Sequence, residues 1–106
     1  MDYCITLVTF PNCEEADKIS AALVDQKLAA CANRIDTVTS FFRWQNKVEH
    51  EQEILVVYKT RATRLNALIE TVKELHSYEV PEVIALPILA GSDDYLQWIK
   101  DETQIT

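Results

Sequence analysis

Three kinds of side chain in this sequence could do chemistry: the imidazoles of His50 and His76, the thiols of Cys4, Cys13 and Cys31, and the carboxylate row Glu49, Glu51 and Glu53. His76 opens the stretch HSYEVPEVIALP, with Tyr78 and Glu82 close behind it. An imidazole with a phenol and a carboxylate nearby suits a metal ligand or a proton donor. At the end of a helix the same histidine would instead complement the helix dipole and bond the last free carbonyls. His50, flanked by glutamates on a strand, reads as a solvated face residue.

Cys31 follows the apolar run KLAA and reads as a small buried hydrophobe ahead of a ligand or nucleophile. Cys13 falls in the first turn of a helix, where free N–H groups and the dipole favour a thiolate, but the sequence places no base beside it. Three cysteines without a CxxC spacing support neither a disulfide framework nor a zinc ribbon. Glu49, Glu51 and Glu53 alternate along one strand face at roughly 7 Å per step, too far apart to chelate one ion without a second strand. They read as a solvated edge that resists wrong pairing. Trp44, Tyr95 and Trp98 read as core or interface anchors.

No nucleophile, base and orienting acid can be assembled from these parts, and neither GxSxG nor HExxH occurs. Gly91 is the single glycine, which excludes the glycine loops that cradle phosphate. A non-enzymatic protein without an organic cofactor is therefore expected.

The bulk properties narrow the partners. A length of 106 residues fits one domain spanning 1–106, and 48% hydrophobic with 25% charged residues is a globular composition. Seventeen acidic against ten basic residues give a net charge of −7, which argues against nucleic acid and against an anionic membrane surface. The segment MDYCITLVTF has no basic n-region, and its apolar run stops at Pro11. That is too short to span a bilayer and unlike a secretory signal, so a cytoplasmic protein with free thiols is expected.

The elements that must position these residues follow from periodicity. Tyr3–Phe10 is a β-rich run ended by Pro11, and Asn12 with Glu15 offers a helix N-cap and capping box. Ala16, Ile19, Leu23 and Ala30 mark one helix face that KLAA closes. Cys31–Trp44 and Val48–Thr60 read as strands around a QNK turn. Leu65, Leu68, Ile69 and Val72 make a second helix that must end before Pro81. Val83–Leu89 is a fourth strand, and Ser92 caps a last short helix carrying Leu96 and Ile99. The order is the ferredoxin-like βαββαβ pattern of an α+β antiparallel sandwich, with an extra C-terminal helix. Hairpin arms of about 13 residues span on the order of 43 Å, longer than so small a domain. The arms should overhang their sheet and be covered by other copies in a closed homo-oligomer, unless a bulge folds them back.

The runs QKLAACANRI, TSFFRWQNKVEHEQEILVVYKT, HSYEVPEVIALPI and YLQW, in this order, resemble the CutA family of divalent-cation tolerance proteins. The resemblance implies ferredoxin-like homotrimers whose long hairpins pair between subunits, a link to Cu(II) and other divalent metal ions, and a cytoplasmic location. It implies His76 as the metal residue, and Cys31, Trp44, Lys59, Tyr78 and Glu82 as residues of an intersubunit groove. In some members copper is associated with a first-strand cysteine and two adjacent histidines. Val8 and Leu75 stand at the first-strand and first-histidine positions here, and His76 alone matches. An alternative reading is a signalling or adaptor trimer that binds a small molecule in that groove.

Overall fold

A computed structural model describes residues 2–104; positions 1, 105 and 106 of the expected 1–106 domain lie outside the described residues. The chain runs β1 (Tyr3–Phe10), α1 (Cys13–Asp25), β2 (Cys31–Trp44), β3 (Lys47–Arg61), a 3-10 turn (Ala62–Arg64), α2 (Leu65–Leu75), β4 (Val83–Pro87) and α3 (Asp93–Glu102). The strands form one antiparallel sheet in the order β2-β3-β1-β4. This is the α+β ferredoxin-like arrangement expected from the element order.

One face of the sheet carries the core. Val8 and Phe10 of β1 and Val56 and Tyr58 of β3 pack with Ala16, Ile19 and Leu23 of α1 and Leu68 and Val72 of α2. Each of the Val, Ile, Leu and Phe side chains among them contributes about 1.5–3 kcal/mol on burial. α1 starts where Asn12 Oδ1 accepts the Glu15 N–H at 2.8 Å. The expected capping box forms only this half, because the Glu15 carboxylate instead accepts the N–H of distant Ser77 at 3.0 Å. The helix also stops earlier than KLAA suggests. It ends at Asp25, and Lys27 turns the chain with φ 61°. Leu28, Ala29 and Ala30 are buried, but in the loop rather than on the helix face. β4 closes at Pro87, short of Leu89, with one further bond from the Ile88 N–H to the Tyr3 carbonyl at 3.0 Å.

The hairpin overhangs its sheet. Its arms have 14 and 15 residues, and the molecule measures 45 Å along its long axis against 25 and 22 Å across. β1 pairs with β3 only from Ile54 onward, so among the described residues the backbone of 47–53 pairs with β2 alone. Gln45 and Asn46 turn the hairpin with φ 49° and 66°, the left-handed pair a two-residue type I′ turn needs. A bulge interrupts β2 at Thr37, whose φ is 98°. It re-registers the strands without folding them back on the sheet. Phe41, Trp44 and Val48 on the overhang are 73%, 61% and 67% exposed.

Candidate functional site

The overhang and the loop after α2 enclose an open cleft of about 580 Å³. Its position follows from the bulge. Before Thr37, Asp36 faces Ile54; after it, Val38 faces Glu53, Ser40 faces Glu51 and Phe42 faces Glu49. Directly opposed residues share a face, so one extra residue moves Phe42 and Trp44 onto the side of the glutamates. The loop supplies the opposite wall with Tyr78, Val80 and Glu82. The glutamate row is thus not simply a solvated edge. Glu49 and Glu51 are exposed, but Glu53 is only 8% exposed and its Oε2 accepts the Tyr78 hydroxyl at 2.9 Å. Burial first, then the Glu53 hydrogen bond and the charges of Glu53, Glu15 and Glu51, push the Tyr78 phenol well above the usual tyrosine range.

His76 sits behind this wall as the C-cap residue of α2. Its side chain is fully buried between Phe10, stacked at 4.9 Å, and Tyr78, tilted at 4.7 Å between centroids. Nδ1 accepts the Tyr78 N–H at 3.0 Å, which assigns the ring proton to Nε2. Nε2–H then donates to the Thr9 carbonyl at 2.8 Å. Glu15 Oε2 approaches Nδ1 at 3.4 Å while holding Ser77 N–H. The helix-end role weighed from the sequence is present in altered form: the ring bonds the end of β1 rather than the last carbonyls of α2.

The expected groove residues separate into two groups. Trp44, Tyr78 and Glu82 line the cleft. Cys31 and Lys59 are cross-strand partners at the other end of the hairpin, where Lys59 Nζ reaches Tyr95 Oη at 3.4 Å and lies 5.4 Å from that ring's centroid. Cys31 is half-buried and not the core hydrophobe its apolar lead suggests. It faces with Lys59 away from the core packed by α1 and α2, and the preceding Leu28 and Ala29 fill that core instead. His50 is exposed, as expected, with its ring 5.4 Å from Phe41. The sequence reading missed Thr9 and Glu15 as partners of the His76 loop; both contacts span more than sixty residues and leave no local signal.

The fit to a metal ion is poor at His76. An imidazole binds metal through an unprotonated nitrogen, and the one such nitrogen here already accepts a hydrogen bond. Val8 is buried in the core and Leu75 presents hydrocarbon, so neither position supplies a donor. Among the described residues no three His, Cys, Asp or Glu side chains converge as a ligand set.

The fold and site define a ferredoxin-like protein with an overhanging hairpin and a carboxylate-and-aromatic cleft at the overhang. Comparison with known proteins makes the assignment specific. The sequence pattern of the CutA1 divalent ion tolerance protein family matches residues 4–102, and this chain belongs to that family. It is 44% identical to the divalent-cation tolerance protein CutA of Thermus thermophilus, over 93% of this chain and 96% of that protein. It is 45% identical to the chloroplastic CutA protein of Arabidopsis thaliana over 94% of this chain, which spans only 55% of that longer relative. Among solved structures, CutA1 from Oryza sativa superposes with a TM-score of 0.96 at 40% identity, covering 100% of this chain and 97% of that one. A CutA from Archaeoglobus fulgidus, described as periplasmic, gives 0.94 at 35% identity, covering 96% and 99%. The relatives thus carry more than one compartment in their names. No helix among the described residues is long and apolar enough to cross a membrane.

Proposed function

We propose that this protein serves divalent-cation tolerance as a non-enzymatic homotrimer of single-domain subunits in the cytoplasm, with the hairpin cleft as its working surface. The observation that carries the reading is the family match along residues 4–102. The hairpin supports the assembly. A two-stranded ribbon with Phe41, Trp44 and Val48 exposed is a pairing surface, and three copies in a closed ring would cover it. A neighbour could then bring its Cys31 and Lys59 toward the cleft and reunite the groove set. The net charge of −7 and the carboxylates Glu49, Glu51, Glu53 and Glu82 attract divalent cations such as Cu(II) without the geometry for tight chelation. His76 is the residue the sequence offers as ligand, and the bonds to its ring weigh against that role. Nucleic acid, membrane and organic cofactor have no part in the reading.

Two measurements test it. Size-exclusion with light scattering should return the mass of three chains, and a monomer would remove the assembly. Deleting the gene in its own host should lower growth in copper-supplemented medium; unchanged growth would remove the tolerance role. A second reading, a small-molecule-binding signalling or adaptor trimer, is favoured by the aromatic wall of Phe42, Trp44 and Tyr78. Thermal-shift screening of a metabolite panel, with no metal present, would favour it by a specific stabilisation.

A further inference from the structure

We propose that His76 is not a metal ligand in this protein but the pin of a hydrogen-bonded relay, Thr9–His76–Tyr78–Glu53, that fixes one wall of the cleft. The relay is continuous. The Thr9 carbonyl takes the Nε2–H of His76 at 2.8 Å, Nδ1 takes the Tyr78 N–H at 3.0 Å, and the Tyr78 hydroxyl donates to Glu53 Oε2 at 2.9 Å. Together the bonds tie three segments to one another: the end of β1, the loop after α2, and β3 where the overhang begins.

The imidazole is used at both nitrogens, and its two bonds demand opposite roles, donor at Nε2 and acceptor at Nδ1. Only a neutral histidine in a single tautomer supplies both. Coordination at Nδ1 would displace the Tyr78 N–H, and coordination at Nε2 would leave the Thr9 carbonyl buried without its donor. An orphaned buried group keeps its full desolvation penalty, which any gain from the metal would first have to offset. Phe10 and Tyr78 clamp the ring from its two sides, so it cannot rotate toward solvent without opening the core. The chemistry a histidine brings to a metal site is spent here on positioning: by holding the Tyr78 backbone, the ring aims the phenol at Glu53. This goes beyond the tolerance reading and leaves it standing, since cations can act at the cleft carboxylates with His76 untouched.

The test uses the purified, intact protein with nitrogen-labelled histidine. Long-range proton–nitrogen spectra should show His76 with a protonated Nε2 and an acceptor Nδ1. Addition of diamagnetic Zn(II) should leave both signals in place, while exposed His50 reports any casual binding. A stoichiometric displacement of either His76 nitrogen would overturn the proposal. Two variants separate the ring's roles. His76→Asn keeps an acceptor near Nδ1, and His76→Gln keeps a donor near Nε2. The Tyr78 amide should exchange faster in the glutamine variant than in the asparagine variant. The vibrational signature of a donating Tyr78 phenol, assigned by its loss in Tyr78→Phe, should weaken in the same order. Equal behaviour of both variants and wild type would overturn the relay. Should the variants fail to fold, the zinc experiment on the wild type still decides the ligand question. Neither result depends on the trimer or on copper growth, so a failure here is distinguishable from a failure of the tolerance reading.

Discussion

From Ile54 to Thr60, β3 is an inner strand of a four-stranded sheet; from Lys47 to Glu53 it is one arm of a two-stranded ribbon. The inner part alternates as a half-buried strand should, with Ile54, Val56, Tyr58 and Thr60 buried. On the outer part every residue but Glu53 is exposed. Hydrophobicity does not separate them, since the ribbon carries Phe41, Phe42, Trp44 and Val48. What differs is the number of layers. The inner part has α1 and α2 packed on it and α3 in contact as well, whereas among the described residues the ribbon has only the short loop 78–82 beside it. Stability of the chain should therefore reside inside, and assembly and ligand chemistry outside.

Truncation of the core should break the inner part first. Leu68→Ala removes a fully buried side chain of α2 and should cost about 2–5 kcal/mol in denaturant unfolding. Trp44→Ala, on the ribbon, should leave the subunit fold unchanged and weaken assembly, read by light scattering on dilution. Equal losses of subunit stability from the two would erase the distinction.

Alkali sharpens the same contrast. Burial raises the Tyr58 phenol to about 12, offset in part by its hydrogen bond with Ser20 at 2.7 Å. In the unfolded chain a tyrosine ionises near 10. The folded state thus holds its proton more tightly, and the stabilisation is complete below about pH 10. It is lost as pH rises through about 12, by on the order of 2–3 kcal/mol. Tyr58→Phe should flatten this decline; an unchanged alkaline profile would show that the inner strand is not what titrates.

Tyr78→Phe probes the junction between the two parts. It deletes the hydroxyl that satisfies Glu53 and should cost about 1–3 kcal/mol, because a nearly buried carboxylate loses its donor. Glu53→Gln in the same background should recover part of the loss, and full additivity of the two changes would argue against their contact.

Legibility in the sequence divides along the same line. β1 and β2 match their expected bounds, and the core residues of α2 were readable, because period and proline act locally. The face of the ribbon was not readable. A period-two count through Cys31–Trp44 assumes an unbroken strand, and Thr37 breaks it with no glycine or proline to announce the change. His76 was conspicuous by type, but the partners of its nitrogens were not readable, since they include Thr9, far away in the chain. The groove residues matched by resemblance fall into two groups because a resemblance carries no distances.

The smallest expected effect lies at Thr37, where the two halves of β2 change register. A β-branched residue with φ 98° is strained by roughly 1–3 kcal/mol. Thr37→Gly relieves that strain but adds freedom to the unfolded chain, which removes about 0.4–1 kcal/mol of the benefit. A net gain of about 1 kcal/mol is expected, with the cleft unchanged, as judged by Tyr78 amide exchange. Deleting Thr37 removes the extra residue yet keeps every pair on either side of it, Asp36 with Ile54, Val38 with Glu53 and Phe42 with Glu49, so Phe42 and Trp44 stay beside the glutamates. Only the added local twist of the bulge is lost, so Tyr78 protection and assembly should persist. Their loss would show that the twist at Thr37, and not the pairing alone, shapes the cleft.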